Sequence, residues 1–173
     1  MTECGRFHKK GRVASAICHL FGSIILILVI LALLPITLPR LMGYEIFSVA
    51  SGSMEPEIPV GSIVYVKPAE PVNVAEGEII AFSAGSSVVM HRVVSNHQVD
   101  EYFTTKGDAN PKEDMGGVRY ENLIGRVVRH IPLLGQVMQV CAGLLGKVLI
   151  SCLAGSGILL LVLAGMIAGK NPV

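Results

Sequence analysis

Between Arg12 and Arg40 the chain carries no charged side chain: Val13 to Pro39 reads VASAICHLFGSIILILVILALLPITLP, and a second uncharged run covers Val148 to Gly169. A helix needs about 20 apolar residues to cross the hydrocarbon core of a bilayer, so each run is long enough. Lipid offers no partner to a bare peptide group, so helices are the structure expected of both. The chain is 51% hydrophobic and only 16% charged, too apolar for an ordinary soluble domain, with the excess collected at its two ends. The reading is a transmembrane helix over residues 14–36, a second over 148–169, and one lobe over 40–130 between them.

A cleavable signal peptide is the rival for the first segment, because Arg6, Lys9, Lys10 and Arg12 precede its apolar core. That core exceeds the usual length of about 7–15 residues and ends in Pro35, Pro39 and Arg40 rather than in a small-x-small exit, so an uncleaved anchor is favoured. The basic residues place the tail 1–13 in the cytoplasm by the positive-inside rule. The lobe then faces outward, and the second span returns the tail 170–173 to the cytoplasm. This is the arrangement of a two-span protein of the cell membrane.

From Gly43 to His130 the chain turns polar, with β-branched runs separated by Gly, Pro, Ser and Asn. Ser62–Val66, Glu78–Phe82, Ser87–Val94, Tyr102–Thr105 and Leu123–Val128 read as strands. The fold class expected is mainly β: a compact β-sheet or barrel-like lobe flanked by the two membrane helices, with closure removing exposed edges. Residues 131–147 read as an amphipathic segment lying in the interface, with Gln136 and Gln139 three apart on one helical face. Gly165 and Gly169 form a Gly-x-x-x-Gly pair of the kind that can bring membrane helices together.

Net charge of +1 and the lack of a basic patch interleaved with aromatics argue against nucleic acid as a partner. Cys4, Cys18, Cys141 and Cys152 lie outside the lobe, no spacing resembles a zinc site, and Cys18 and Cys152 read as small apolar packing residues. No metal or cofactor is called for.

Four blocks inside the lobe carry chemistry: Ser51-Gly52-Ser53-Met54-Glu55-Pro56, then Gly77-Glu78-Ile79-Ile80-Ala81-Phe82, then His91-Arg92-Val93-Val94, then Gly107-Asp108 with Asp114 six residues on. A serine hydroxyl needs a base to become a nucleophile. An imidazole, with an ordinary pKa near about 6.5, can take that proton and return it to a departing amine. A carboxylate can orient the ring and stabilise the imidazolium. Ser53 and His91 are the candidates for the first two roles, and Asp108 and Asp114 both for the third. Each block also has a plain structural reading, since Ser-Gly-Ser and Gly-Asp are common turn sequences.

Taken in order, the four blocks resemble the signal peptidase I family over about Phe47 to Gly135, in its endoplasmic-reticulum-type branch, also found in archaea and Gram-positive bacteria. The leader-peptidase branch would place a lysine where His91 stands, so the resemblance is to the Ser-His variant. It implies a membrane-bound serine endopeptidase that removes signal peptides from secretory preproteins after small-x-small sites. Ser53 is then the nucleophile, His91 the base, and Asp114 the acid, with Asp108 second. The hydroxyl of Ser51, beside the backbone N–H of Ser53, is implied as the oxyanion donor. The family's usual Gly-Asp-Asn-Asn reads Gly107-Asp108-Ala109-Asn110 here. Met54 and Ile46-Phe47 are expected to dip into the outer membrane surface near the active site.

His8, His19, His97 and His130 read as structural or solvated, and none of Lys67, Lys106 and Lys112 falls where a lysine base would stand. Two other functions fit the same residues. One is an anchored binding module that recognises exported segments without cutting them; the other is a peptidase dedicated to pilin-like or biofilm substrates. Further membrane subunits are compatible with the resemblance.

Overall fold

The computed structural model describes residues 3–169, with side chains over 12–168. The tail expected at 170–173 therefore lies outside the described residues, as do the side chains of Cys4 and of basic residues Arg6, Lys9 and Lys10. The elements, in chain order, are helix α1 (Glu3–Leu41), strands β1 (Glu45–Ser48), β2 (Ile63–Lys67), β3 (Ile79–Ala84), β4 (Ser87–His97), β5 (Tyr102–Lys106), β6 (Val118–Arg119) and β7 (Leu123–Ile131), then helices α2 (Leu134–Ala142) and α3 (Leu144–Gly169). They fall into two compact units, one of residues 1–35 and 141–173, the other of residues 36–140.

In the helical unit, Arg12–Leu41 and Leu144–Ala168 are each long and apolar enough to cross a membrane. Leu28, Leu31 and Leu159 are 57–60% exposed, a density of bare apolar surface that suits lipid rather than water. The two helices meet through small residues. A Cβ added at Gly22 would lie 2.9 Å from the carbonyl oxygen of Gly157, and Ser15 donates its hydroxyl to the Ala164 carbonyl at 2.8 Å. The contact runs through Gly157, whereas a Cβ at Gly165 would meet open space. Cys18, Cys141 and Cys152 are free thiols.

The first helix runs past the end expected for it, through Pro35 and Pro39 to Leu41. A proline costs a helix one N–H bond and some bending rather than the whole element when its surroundings re-satisfy the freed carbonyl. The true stop is Gly43, at φ 82°. Its left-handed backbone lets the N–H of Tyr44 reach the Pro39 carbonyl and its own N–H reach that of Arg40, the two bonds of a Schellman motif.

The other unit is one antiparallel sheet of seven strands in the order β1-β2-β7-β3-β4-β5-β6. The five expected runs all became strands, and β1 and β6 were added at its two ends. β2 is buried on both faces, Ile63 and Tyr65 packing with Ile46 while Val64 and Val66 pack with Met54, Ile58 and Ala81. This two-sided burial explains its unbroken apolar sequence. A third cluster, including Ile80, Phe82, Val93 and Phe103, fills the space under β3, β4 and β5.

Two side chains expected at the membrane surface belong instead to this interior. Met54 is 2% exposed and Ile46 is 8% exposed, each closed in by β2. Residues 131–147, expected as one interfacial segment, are split: α2 ends at Ala142 and α3 starts at Leu144. Gln136 lies against Gly61, whose backbone accepts the N–H of Gly135 at 2.8 Å.

Candidate active site

Ser53 stands in the turn between β1 and β2. The Glu55 N–H bonds the Gly52 carbonyl and the Ile58 N–H bonds the Met54 carbonyl. The next side chain, Met54, is sunk into the core, so the turn is pinned from below while Ser53 stays half-buried and Ser51 exposed. The Ser53 carbonyl accepts the N–H of Ala109 at 2.9 Å. Gly107 makes that approach possible, because a Cβ there would lie 2.6 Å from the same carbonyl oxygen. The serine block is thereby tied to the Gly107-Asp108 block, 56 residues downstream of it at Ala109.

His91 sits on β4 opposite Ile80 of β3 and is 8% exposed, with Phe82 edge-on to its ring at a centroid distance of 6.2 Å. Its Nδ1 is hydrogen-bonded to Asp114 Oδ2. The same carboxylate oxygen accepts the hydroxyl of Thr105 at 2.7 Å, and the Asp114 N–H bonds the Thr105 carbonyl at 2.8 Å.

Asp108 does not join this group. Its two oxygens accept Nε and Nη2 of Arg92 at 2.8 and 2.6 Å, and Arg92 Nη1 donates to the Gly77 carbonyl at 2.8 Å. Hydrogen bonding to Asp108 holds the Arg92 guanidinium above its already high range, against the opposing effect of burial. Neighbouring residues of a strand point to opposite faces. His91 and Arg92 therefore each take a different aspartate, and the two acids that the sequence left open are separated by the pleat of β4.

Among the described residues Ser53 Oγ makes no hydrogen bond, to His91 or otherwise. The serine block and β4 instead form the two walls of a cavity of about 120 Å³, with Ser51, Ser53, Met54 and Ile58 on one side and Val88 and Met90 on the other. Ser48 also lines it, and its Oγ is buried without a hydrogen-bond partner. A larger hollow of about 560 Å³ opens beside His91 and Asp114, walled also by Ser83 and Asn122; Val89 borders both. No group of three or more His, Cys, Asp or Glu side chains among the described residues is placed to hold a metal.

Of the remaining histidines, His97 bonds Thr104 and stacks on Tyr102 at 4.3 Å, and His130 is paired with Val64 in the β2–β7 ladder. Both serve the sheet.

A Bacillus subtilis (strain 168) protein named signal peptidase I W is 38% identical over 89 residues, covering 49% of this chain and 47% of that protein. About half of this chain is similar to that protein. The human signal peptidase complex catalytic subunit SEC11C is 31% identical over 101 residues, covering 51% of this chain and 53% of its own length, and its dog counterpart gives the same figures. The chain thus spans about half the length of the curated relatives it matches. No family model matches it.

Arg92 and Thr105 were not singled out as site residues by the sequence alone. Strand parity carries a signal for the second: Phe103 and Thr105 lie two apart on β5, both wholly buried, and a buried hydroxyl in a strand needs an acceptor.

Proposed function

We propose that this chain is a membrane-bound serine endopeptidase of the Ser-His type that cleaves signal peptides from exported preproteins. The observation that carries the reading is the His91–Asp114 hydrogen bond on a strand bordering the same cavity as Ser53. With Nδ1 engaged by the carboxylate, Nε2 is the nitrogen left to accept the Ser53 proton as the hydroxyl attacks the scissile carbonyl. The same nitrogen then returns the proton to the departing amine. The tetrahedral oxyanion is met by the Ser53 N–H and the Ser51 hydroxyl, a pairing worth about 3–4 kcal/mol per donor in related chemistry. The Ser53–His91 contact closes when substrate fills the cavity, as catalytic hydrogen bonds often tighten only in the complex.

The cavity of about 120 Å³ beside Ser53 is walled by the apolar side chains of Met54, Ile58, Val88 and Met90, so it offers a substrate side chain a place next to the nucleophile; the small-x-small preference is what the family resemblance implies. An extended substrate fits between the serine block and β4, the mode in which a strand adds to existing strands. Both long apolar helices then span the cell membrane, with the β lobe outside and secretory preproteins reaching it from the bilayer. Assembly with further membrane subunits is compatible with this, as the name of the human relative refers to a complex.

The test is cleavage of a reporter preprotein by membranes carrying the wild-type chain, Ser53→Ala or His91→Ala, with the cut mapped by mass spectrometry. A cut after a small-x-small site that both substitutions abolish is the expected result. Full activity in His91→Ala would overturn the mechanism.

A further inference from the structure

Thr105 is wholly buried on β5, and its hydroxyl is used in an unusual way for a strand threonine. Most side-chain hydroxyls bond backbone groups or water. This one donates to Asp114 Oδ2 at 2.7 Å, the oxygen that also receives His91 Nδ1. Its backbone carbonyl, meanwhile, holds the Asp114 N–H at 2.8 Å. One residue therefore fixes both the main chain and the carboxylate of Asp114, which otherwise belongs to the irregular stretch between β5 and β6. Threonine is suited to this, because its β-branch restricts χ1 and so aims the hydroxyl.

We propose that Thr105 is a positioning residue of the active site, acting through Asp114 to set the plane and reach of the carboxylate that orients His91. The proposal rests on the reading that Ser53, His91 and Asp114 act together. Thr105 touches no reacting atom. Its hydroxyl fixes which carboxylate oxygen faces the ring, and its carbonyl fixes where the loop bearing that carboxylate lies. The contribution is to the chemical step rather than to substrate binding, since Thr105 lines neither cavity described above.

The experiment uses the full chain in membranes and measures kcat and KM on one preprotein for Thr105→Val, Thr105→Ser, Asp114→Ala and the double variant Thr105→Val with Asp114→Ala. His91→Ala and a thermal melt of each protein run alongside. Valine keeps the shape and removes the hydroxyl. Losing a hydrogen bond to a charged group predicts a kcat lower by about 10- to 100-fold with KM unchanged. Serine restores kcat, because it keeps the donor. In the double variant Thr105→Val adds little to Asp114→Ala, which already lacks the carboxylate through which Thr105 acts.

Wild-type kcat in Thr105→Val overturns the proposal. So does an equal loss in Thr105→Ser and Thr105→Val that follows a lowered melting temperature, which would make the residue a packing element only. If Thr105→Val does not fold, a Thr105→Ser kcat close to wild type supports the proposal and a strongly reduced one in a folded protein overturns it. Retained activity in His91→Ala would instead sink the catalytic reading itself, a separate outcome.

Discussion

Replacing Asp114 by asparagine isolates the charge of the carboxylate from its shape. His91 Nδ1 and the Thr105 hydroxyl both converge on Oδ2. A carbonyl oxygen in that place can accept from both, leaving the amide nitrogen where Oδ1 now makes no hydrogen bond among the described residues. The asparagine is therefore expected to keep the ring orientation and lose only the negative charge facing the imidazolium. A unit charge about 4 Å away is worth about 4 kcal/mol at an effective dielectric near 20, and at about 1.4 kcal/mol per decade that is roughly 10³-fold in kcat. The Asp114 side chain is 26% exposed and that of His91 10%, so solvent trims the expectation to about 10²- to 10³-fold. Single-turnover cleavage of a reporter preprotein measures it, with Asp108→Asn as the comparison. That second variant weakens the forked bond to Arg92, a partly exposed pair, and is expected to cost about 1–2 kcal/mol of stability with a much smaller fall in kcat. A larger kcat loss in Asp108→Asn than in Asp114→Asn would refute the assignment of the acid.

Gly107→Ala places a methyl 2.6 Å from the Ser53 carbonyl oxygen and 2.7 Å from Asn110 Nδ2, so the serine block must move; a shift near 1 Å predicts a fall of about 10²-fold in kcat/KM, read from initial cleavage rates, and unchanged rates would show that the block is not held there. Gly22→Leu drives a side chain into the Gly157 carbonyl at 2.9 Å, so a disulfide engineered between positions 15 and 164 is expected to form less in that background, whereas Ser15→Ala alone costs about 0.6 kcal/mol of helix association; equal cross-linking with and without Gly22→Leu would rule out the close helix contact.

The helices and most strands could be read in advance because their signals are local. Uncharged runs of over twenty residues and β-branched runs bounded by turn residues need no knowledge of their neighbours. β1 and β6 were missed for a complementary reason. Glu45–Ser48 follows directly on the helix cap, and Val118–Arg119 is only two residues long, so pairing rather than pattern makes them strands. Met54 and Ile46 looked available to lipid because hydropathy does not say which apolar surface receives a side chain. Which aspartate meets His91 needed both the pleat and the pairing: His91 and Arg92 are adjacent in sequence, and only the strand separates their partners. Thr105 was silent because a threonine in a β run is ordinary until its acceptor is known.

The last strand of the sheet, β7, lies in its interior, between β2 and β3. During synthesis β1 and β2 emerge first and β3 to β6 next, but strand pairing joins the two groups only once Leu123–Ile131 has appeared. Ser53 belongs to the first group and His91 to the second. A nascent chain halted before residue 123 therefore holds Ser53 and His91 in two fragments of sheet with no ladder between them. The pairing between the Ser53 side of the sheet and the His91 side is thus supplied last, by a strand that carries neither residue.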